Sequence, residues 1–479
     1  MISFRYCLVL LTGLFIFPTL ISAQSQAFVK VYGDSSFQEQ AAGVVQAADQ
    51  SVYVLGNISN TPNLGHQIVL NKFTPDGKAI WQKFYGGPLN ESGDAVVLQK
   101  ADILLITGSI YNPQTGNKDA LFMRIDTSGH MVQTWTTTDT FLNEVFKTAC
   151  VLPDGSFLAS GSISDPNGNG NDTYLRFFNA EGQPQWIANF RDSLENDIAH
   201  ASAAIPEGGF LVAGERQLAD KTYRPYLLNI NKFGDTQWVK TLDYGTNGGS
   251  QNILRTQSGE YWLVGEAFPD SQNFFFDYLV VAFDSTGTEK WHRYYGDVEA
   301  DACFSIAEVK RGYFVLGGYG YNPAGQSTDF YMVLVDSTGS EMLEWYWGQN
   351  RLDMTLGLIA GQAGGIYAAG FLTTQENDLQ YVLYHEPLAF LSTSIAKKLP
   401  LLETSLFPNP VSRGGILHAR DPIPPALIRV VGLDGKLHFQ VAKRQPWQHL
   451  AVPDSLAGGL YILNIQTQRQ IYRASIRIE

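Results

Sequence analysis

The chain has 479 residues, 44% hydrophobic, 13% aromatic and 16% charged. That is too apolar and aromatic for a disordered polypeptide, and long enough for several domains or one large closed fold. The 46 Gly, 23 Tyr and 28 Phe point to an all-β protein rich in turns, and a net charge of -13 excludes nucleic acid, whose phosphates would be repelled.

Residues 1–23 read as a secretory signal peptide. Arg5 supplies the positive region, an apolar run extends from Tyr6 to Phe17, and Ser22-Ala23 offers a small-residue cleavage site before Gln24. The run is short for a membrane span, and no later stretch reaches the length of one, so the mature chain is expected to carry no transmembrane segment. Cys7 lies inside the apolar run. The two remaining cysteines, Cys150 and Cys303, lie far apart and are expected as buried free thiols.

Residues 24–386 are built on an internal repeat. Trp81, Trp135, Trp186, Trp238, Trp291 and Trp345 recur at spacings of 54, 51, 52, 53 and 54 residues. Each follows a glycine by four or six positions: Gly77, Gly129, Gly182, Gly234, Gly287 and Gly339. A second glycine series has seven members at the same period: Gly56, Gly108, Gly161, Gly214, Gly265, Gly318 and Gly370. Two phase-locked series at this period identify a repeat architecture.

Within the third unit the pattern predicts strands at 147–152, 156–161, 174–178 and around Trp186. They are separated by a Pro-Asp-Gly turn at 153–155, a polar loop at 164–172 and an Asn-Ala-Glu-Gly turn at 179–182. Four antiparallel strands in about fifty residues is the size of a propeller blade. A lone four-stranded sheet cannot bury both faces, so blades must stack in a ring, with the repeated Trp expected between them. The seventh unit shows strands near 356–360, 365–370 and 379–384 but no Trp-bearing strand. Phe28-Val-Lys-Val-Tyr-Gly33 aligns with Trp81-Gln-Lys-Phe-Tyr-Gly86. The amino-terminal strand is therefore predicted to complete the last blade, closing a seven-bladed β-propeller and removing two open edges.

The segment Asp284-Ser-Thr-Gly-Thr-Glu-Lys-Trp291 resembles the Gly-to-Trp segment of quinoprotein repeats, and residues 28–386 resemble the bacterial propellers with quinoprotein-like or kelch-like repeats. The resemblance implies architecture only. Quinoprotein dehydrogenases would imply a redox cofactor, typically eight blades and often an adjacent cysteine pair. This chain has seven units and no such pair, so no cofactor is expected.

Residues 387–404 read as a linker and 405–479 as a second, small Ig-like β-sandwich, with strands near 428–433, 437–441, 458–465 and 471–478 and a tight Asp434-Gly435 turn. Phe407-Pro-Asn-Pro-Val411, Asp434-Gly-Lys436 and Gly459-Leu-Tyr461 at the extreme carboxyl end resemble the type A C-terminal sorting domain of the type IX secretion system of Bacteroidetes. That resemblance implies Sec export, translocation across the outer membrane by the type IX machinery as partner, and a secreted or cell-surface location. It departs from the family in carrying Arg473 and Arg477 on the last strand, where a lysine is common.

No nucleophile elbow, zinc helix or phosphate loop occurs, so no catalytic residue is assigned. Three features remain. An acidic series lies seventeen residues before each second-series glycine: Glu39, Glu91, Glu144, Asp197, Asp301 and Asp353, with Gly248 the exception. These carboxylates either ring a channel mouth and bind a cation or basic ligand, or accept backbone N–H groups and fix the blade junctions. The loop Asp165-Pro-Asn-Gly-Asn-Gly-Asn-Asp172 places Asp165, Asn167 and Asn169 at the alternate spacing of a calcium loop. Arg176 stands where the bidentate glutamate would be, so a polar turn is the competing reading. The variable connections after the second glycines carry Tyr111, Tyr223, Phe268, Phe274, Phe275, Phe276, Tyr319 and Tyr321. Variable aromatic loops on a rigid ring suit a glycan or protein ligand, or serve to plug the loops onto the blades. The sequence thus favours a non-catalytic binding or scaffold protein, with an extracellular carbohydrate lyase or hydrolase as the rival.

Overall fold

The computed structural model describes residues 27–388 and 402–478, apart from 34–37, 60–64, 138–141, 165–169, 191–195, 207, 270–274, 297–298, 323–326, 349–350, 375–377, 404–405, 408–411, 413–414, 424–425, 433–436, 444–446, 454–455, 457–458 and 468–470. The signal segment 1–23, the calcium-loop residues Asp165, Asn167 and Asn169, and Phe274 lie outside the described residues, as do the Pro-Asn-Pro and Asp-Gly-Lys motifs.

Seven four-stranded antiparallel sheets follow one another along residues 38–85, 91–136, 143–190, 197–241, 248–295, 302–347 and 354–386, here blades 1 to 7. The first strand of each blade touches the first strands of its two neighbours around a closed circle, so these strands are innermost and the Trp-bearing fourth strands outermost. The protein is a seven-bladed β-propeller, as the repeat predicts. Strand Phe28–Tyr32 pairs antiparallel with Leu379–Glu386, Phe28 opposite His385 and Tyr32 opposite Tyr381, and supplies the outer strand of blade 7. The predicted ends are short: the first strand of blade 3 runs Asn143–Val151 and its second Phe157–Ser164. Pattern reading stops at the last apolar alternation, whereas the ladder continues into polar residues that the next blade covers.

Each blade junction has its own apolar cluster, drawn from both neighbours; Tyr53 and Leu55 of blade 1 meet Leu104 and Ile106 of blade 2, and the pattern recurs around the circle. At three junctions the two repeated series meet as one contact. In the turn before each outer strand the first-series glycine takes a left-handed conformation, φ 74° to 89°, which disfavours a side chain. Its bare α-carbon lies against the preceding blade. A Cβ at Gly234 would strike the Trp186 ring, one at Gly287 the Trp238 ring and one at Gly339 the Trp291 ring. At the closure, Gly77 receives Phe28, the residue aligned with Trp81. Phe28 also lies against the rings of His385 and Tyr367.

The second glycine series has a different cause. Every innermost strand carries a β-bulge, at Ala42, Asp94, Lys147, His200, Gln251, Phe304 and Leu356. The bulge turns a backbone carbonyl toward the second strand. From blade 2 to blade 7 a Cβ on the series glycine would overlap that oxygen, as at Gly214 with Ile198 O and Gly318 with Ala302 O. Bulges re-aim side chains, and here the glycine makes room for one.

Cys303 is buried and Cys150 half-buried, and neither forms a disulfide; burial pushes the Cys150 thiol up to about 12. The carboxyl-terminal module has a five-stranded sheet and a three-stranded sheet, whose apolar faces meet through Leu417 and Leu450 of one and Val430 of the other. Strands Ile416–Ile423 and Trp447–Ala451 escape the sequence pattern because prolines interrupt or abut them. Strand Leu402–Glu403, within the expected linker 387–404, pairs in parallel with Tyr472–Arg473.

Gly214→Ala should lower unfolding free energy by about 2–4 kcal/mol, since a Cβ forces the bulge out of register, measured by urea denaturation. An unchanged midpoint would mean that the bulge does not need the glycine. Deletion of residues 27–33 should leave strand Leu379–Glu386 as an open edge, lower the melting temperature and promote self-association, read by calorimetry and light scattering.

Candidate functional site

The acidic series is turned inward. Glu39, Glu91, Glu144, Asp197, Asp301 and Asp353 expose between 0 and 4% of their surface. Glu39, Glu91, Asp301 and Asp353 each fold against the glycine that ends the preceding outer strand, at Gly33, Gly86, Gly296 and Gly348. Glu91 Oε1 accepts the Gly87 N–H at 2.7 Å, and Asp353 Oδ1 the Thr373 N–H at 3.0 Å. Asp197 Oδ1 accepts Arg216 Nε at 2.7 Å. Burial raises the Glu91 and Glu144 carboxyls above the ordinary range. The glycine contacts tie the end of one blade to the start of the next, the bonds of Asp197 and Asp353 fasten the start of their own blades, and burial leaves the series no solvent-facing edge with which to meet a ligand.

The less buried polar and aromatic groups come from two other repeat positions. The first is the bulge. Ala42, Asp94, Lys147, His200, Gln251, Phe304 and Leu356 are all half-buried, on strands that encircle the axis. Blades 2 to 5 contribute polar side chains and blades 6, 7 and 1 apolar ones, so the ring has a polar arc and an apolar arc. Asp94 and Lys147 form an ion pair at 2.8 Å across blades 2 and 3. The second position follows the second-series glycine: Asn57, Ser109, Ser162, Glu215, Glu266, Tyr319 and Phe371. Its side chain reaches the next blade; Asn57 exchanges hydrogen bonds with the Gly93 backbone at 2.8 and 2.9 Å.

The two positions converge at blades 4 to 6. Glu215 Oε1 lies 3.7 Å from His200 Nε2, with both side chains about a fifth to a quarter exposed. Gln251 Nε2 donates to Glu266 Oε1 at 3.1 Å. A Cβ on Gly249 would lie 2.9 Å from Glu215 Oε2 and 3.7 Å from Glu266 Oε1, so the two carboxyls flank that glycine. Gly248, the exception in the acidic series, precedes it. Burial pushes the Glu266 carboxyl up to about 7, opposed by the Gln251 amide and reinforced by Glu215. Tyr319 extends the cluster: burial raises its phenol, and the charges of Glu266 and Asp301 add to the effect.

Tyr319 also touches Phe304, ring centroids 5.9 Å apart, and lines a cavity of about 270 Å³ on the loop face between blades 6 and 7. Tyr321, Leu352, Met354, Thr328, Ala300 and Glu299 complete its walls. The structure thus brings together two of the aromatics expected at a site, Tyr319 and Tyr321. It does not bring the other described ones there. Phe268 of blade 5 stacks on Phe276 at 4.0 Å, and its carbonyl accepts the Thr246 N–H, pinning its own loop. Tyr111 projects from blade 2, 36% exposed. Sequence reasoning missed His200, Glu215, Gln251 and Glu266. The signal was available as departure from the repeat: adjacent glutamates at one repeat position, beside the single gap in the acidic series. Among the described residues no group of three His, Cys, Asp or Glu side chains is arranged to hold a metal ion.

No protein-family model matches the chain, and no curated protein matches it. Solved structures similar to it include a catalytically inactive virginiamycin B lyase from Staphylococcus aureus with quinupristin (TM-score 0.48, 11% identity, 75% of this chain and 99% of that one). A protein of unknown function from Dyadobacter fermentans gives 0.44 and 10%, over 74% and 98% of the two chains. The β-propeller domain of the Trilobed protease from Pyrococcus furiosus, which has an open velcro topology, gives 0.42 and 8%, over 73% and 95%. Likenesses this distant carry no inference about activity.

A carboxyl whose folded pKa is raised favours folding below its unfolded value and loses that advantage as pH rises through the folded value. Glu266 should therefore cost the fold on the order of 3 kcal/mol between about pH 4.5 and 7. Glu266→Gln should flatten that part of the stability profile in urea titrations; an unchanged profile would show that Glu266 ionises without penalty.

Proposed function

We propose that the chain is a ligand-binding propeller that works outside the cell, taking a glycan or protein ligand at the axial mouth of its loop face. The observation that carries this reading is where sevenfold regularity fails. Positions repeated in nearly every blade are buried in junctions, whereas irregular ones converge from blade to blade: His200 lies 3.7 Å from Glu215, Glu215 and Glu266 flank Gly249, and Tyr319, whose phenol feels the Glu266 charge, lines the cavity with Tyr321. Rigid strands with a few convergent polar groups and an aromatic-walled hollow are the usual construction of a binding site.

Export is part of the proposal. Residues 1–23 supply the Sec signal, and residues 405–479, which resemble a type IX sorting domain, supply the second address. Among the described residues no helix is long and apolar enough to cross a membrane. No cofactor is needed for this role, and calcium at Asp165, Asn167 and Asn169 remains a separate proposal. A second reading draws on Glu266 specifically: a carboxyl near neutrality beside Glu215 suits general acid catalysis in a lyase or hydrolase.

The double variant Tyr319→Ala/Tyr321→Ala should retain its melting temperature while losing at least about tenfold in affinity for its partner on a glycan array or among purified surface proteins. Unchanged binding would place the ligand elsewhere. Under the catalytic reading, Glu266→Gln should abolish turnover of a bound glycan and spare its binding.

A further inference from the structure

We infer that the axial mouth is built to seat a primary ammonium on an apolar stem, that is, a lysine side chain presented by a protein partner. This deepens the binding reading above and rests on it.

Two carboxyl groups from adjacent blades, Glu215 and Glu266, flank the α-carbon of Gly249 with no basic side chain bonded to Glu266. Glu266 Oε2 is sealed from solvent and receives no hydrogen bond from any described residue. A buried acceptor left unmade is costly and calls for a donor. Glu215, whose side chain is about a quarter exposed, flanks Gly249 together with Glu266 Oε1, so a cation that reaches Glu215 from the mouth lies in the field of both carboxyl groups. An ammonium brings three donors and a charge, which suits two carboxyl groups better than the hydroxyls of a neutral glycan. Opposite this polar arc, Phe304, Leu356 and Ala42 present an apolar arc of the same ring, and Tyr319 joins the arcs through Phe304. A lysine has four methylenes to lie along apolar surface and a charged head to place beyond it. The chain's net charge of -13 draws a cation toward the mouth.

The groups facing Glu266 settle how pH should act. They are Glu215 on the strand Phe210–Gln217, Gln251 on Gly248–Arg255, Cys303 on Ala302–Lys310 and Tyr319 on Tyr313–Asn322, with His200 reaching Glu215 from Asp197–Ala204. A proton on Glu266 competes with the ammonium. That proton leaves as pH rises through about 7, so affinity for the cation should rise through neutrality.

The test titrates the full mature protein with Nα-acetyl-lysine amide by calorimetry between pH 5.5 and 8.5. Its Nζ-acetylated form and a neutral hexasaccharide serve as controls. Wild type should bind the lysine probe about tenfold more tightly at pH 8.5 than at pH 5.5, matching the loss of one competing proton. Neither control should bind. Glu215→Gln should weaken the probe about tenfold, and Glu266→Gln should weaken it and remove most of the pH dependence. The wild-type pH profile decides even where a variant fails to fold. Equal binding of the acetylated probe, a flat profile, or preference for the hexasaccharide overturns the inference. If the lysine probe never binds but the partner still depends on Tyr319 and Tyr321, this inference fails and the loop-face reading stands; if both fail, the mouth is not a binding site.

Discussion

A four-stranded sheet has two faces and no means of burying both. Everything else in this propeller follows from that constraint. The core is not inside the blades but between them, as a cluster at each junction to which both neighbours contribute. Four junctions are tightened at the rim by an aromatic ring on a left-handed glycine of the next blade. A chain of such contacts is stable only if it has no first and last member, because an end blade would expose a whole apolar face. The amino-terminal strand meets that requirement, and Phe28 takes at Gly77 the place that Trp186 takes at Gly234.

The same repeat prepares a site without specifying one. The second glycine series admits a bulge in every innermost strand, and the bulge turns one side chain per blade to the axis. Geometry is thereby constant while the side chain is free to vary. The buried carboxylates behave oppositely: they recur at six of the seven blade starts, bonded locally to backbone N–H groups or, at Asp197, to Arg216, and service to the repeat removes them from solvent. Regular positions hold the ring together, and irregular positions give it chemistry.

Environment separates carboxyl groups that look alike in sequence. Asp284 and Asp336 in the hairpin turns accept two backbone N–H groups and a threonine hydroxyl, which hold them below the ordinary range. Glu266 has one amide partner and a second carboxyl nearby, and burial carries it the other way. Asp197 is as buried as any group in the protein yet is matched by Arg216.

The sequence alone determined the number of blades, the order of strands and the closure, because these depend on periodicity, turn chemistry and complementary ends, all written linearly in Gly77 to Gly339, Trp81 to Trp345 and Phe28–Gly33. It also pointed to the loop face and to Tyr319 and Tyr321. It did not show which side of the blade handover the acidic series faces, since burial is a property of the neighbouring blade, whose approach no single repeat records. Nor did it reveal the meeting of His200, Glu215, Gln251 and Glu266. Those residues are 15 to 66 positions apart and become neighbours only when a bulge turns one side chain inward and the ring brings the next blade's glycine against another. Tertiary structure decided the site because the site consists of departures from the repeat, and only the closed ring places departures in different blades side by side.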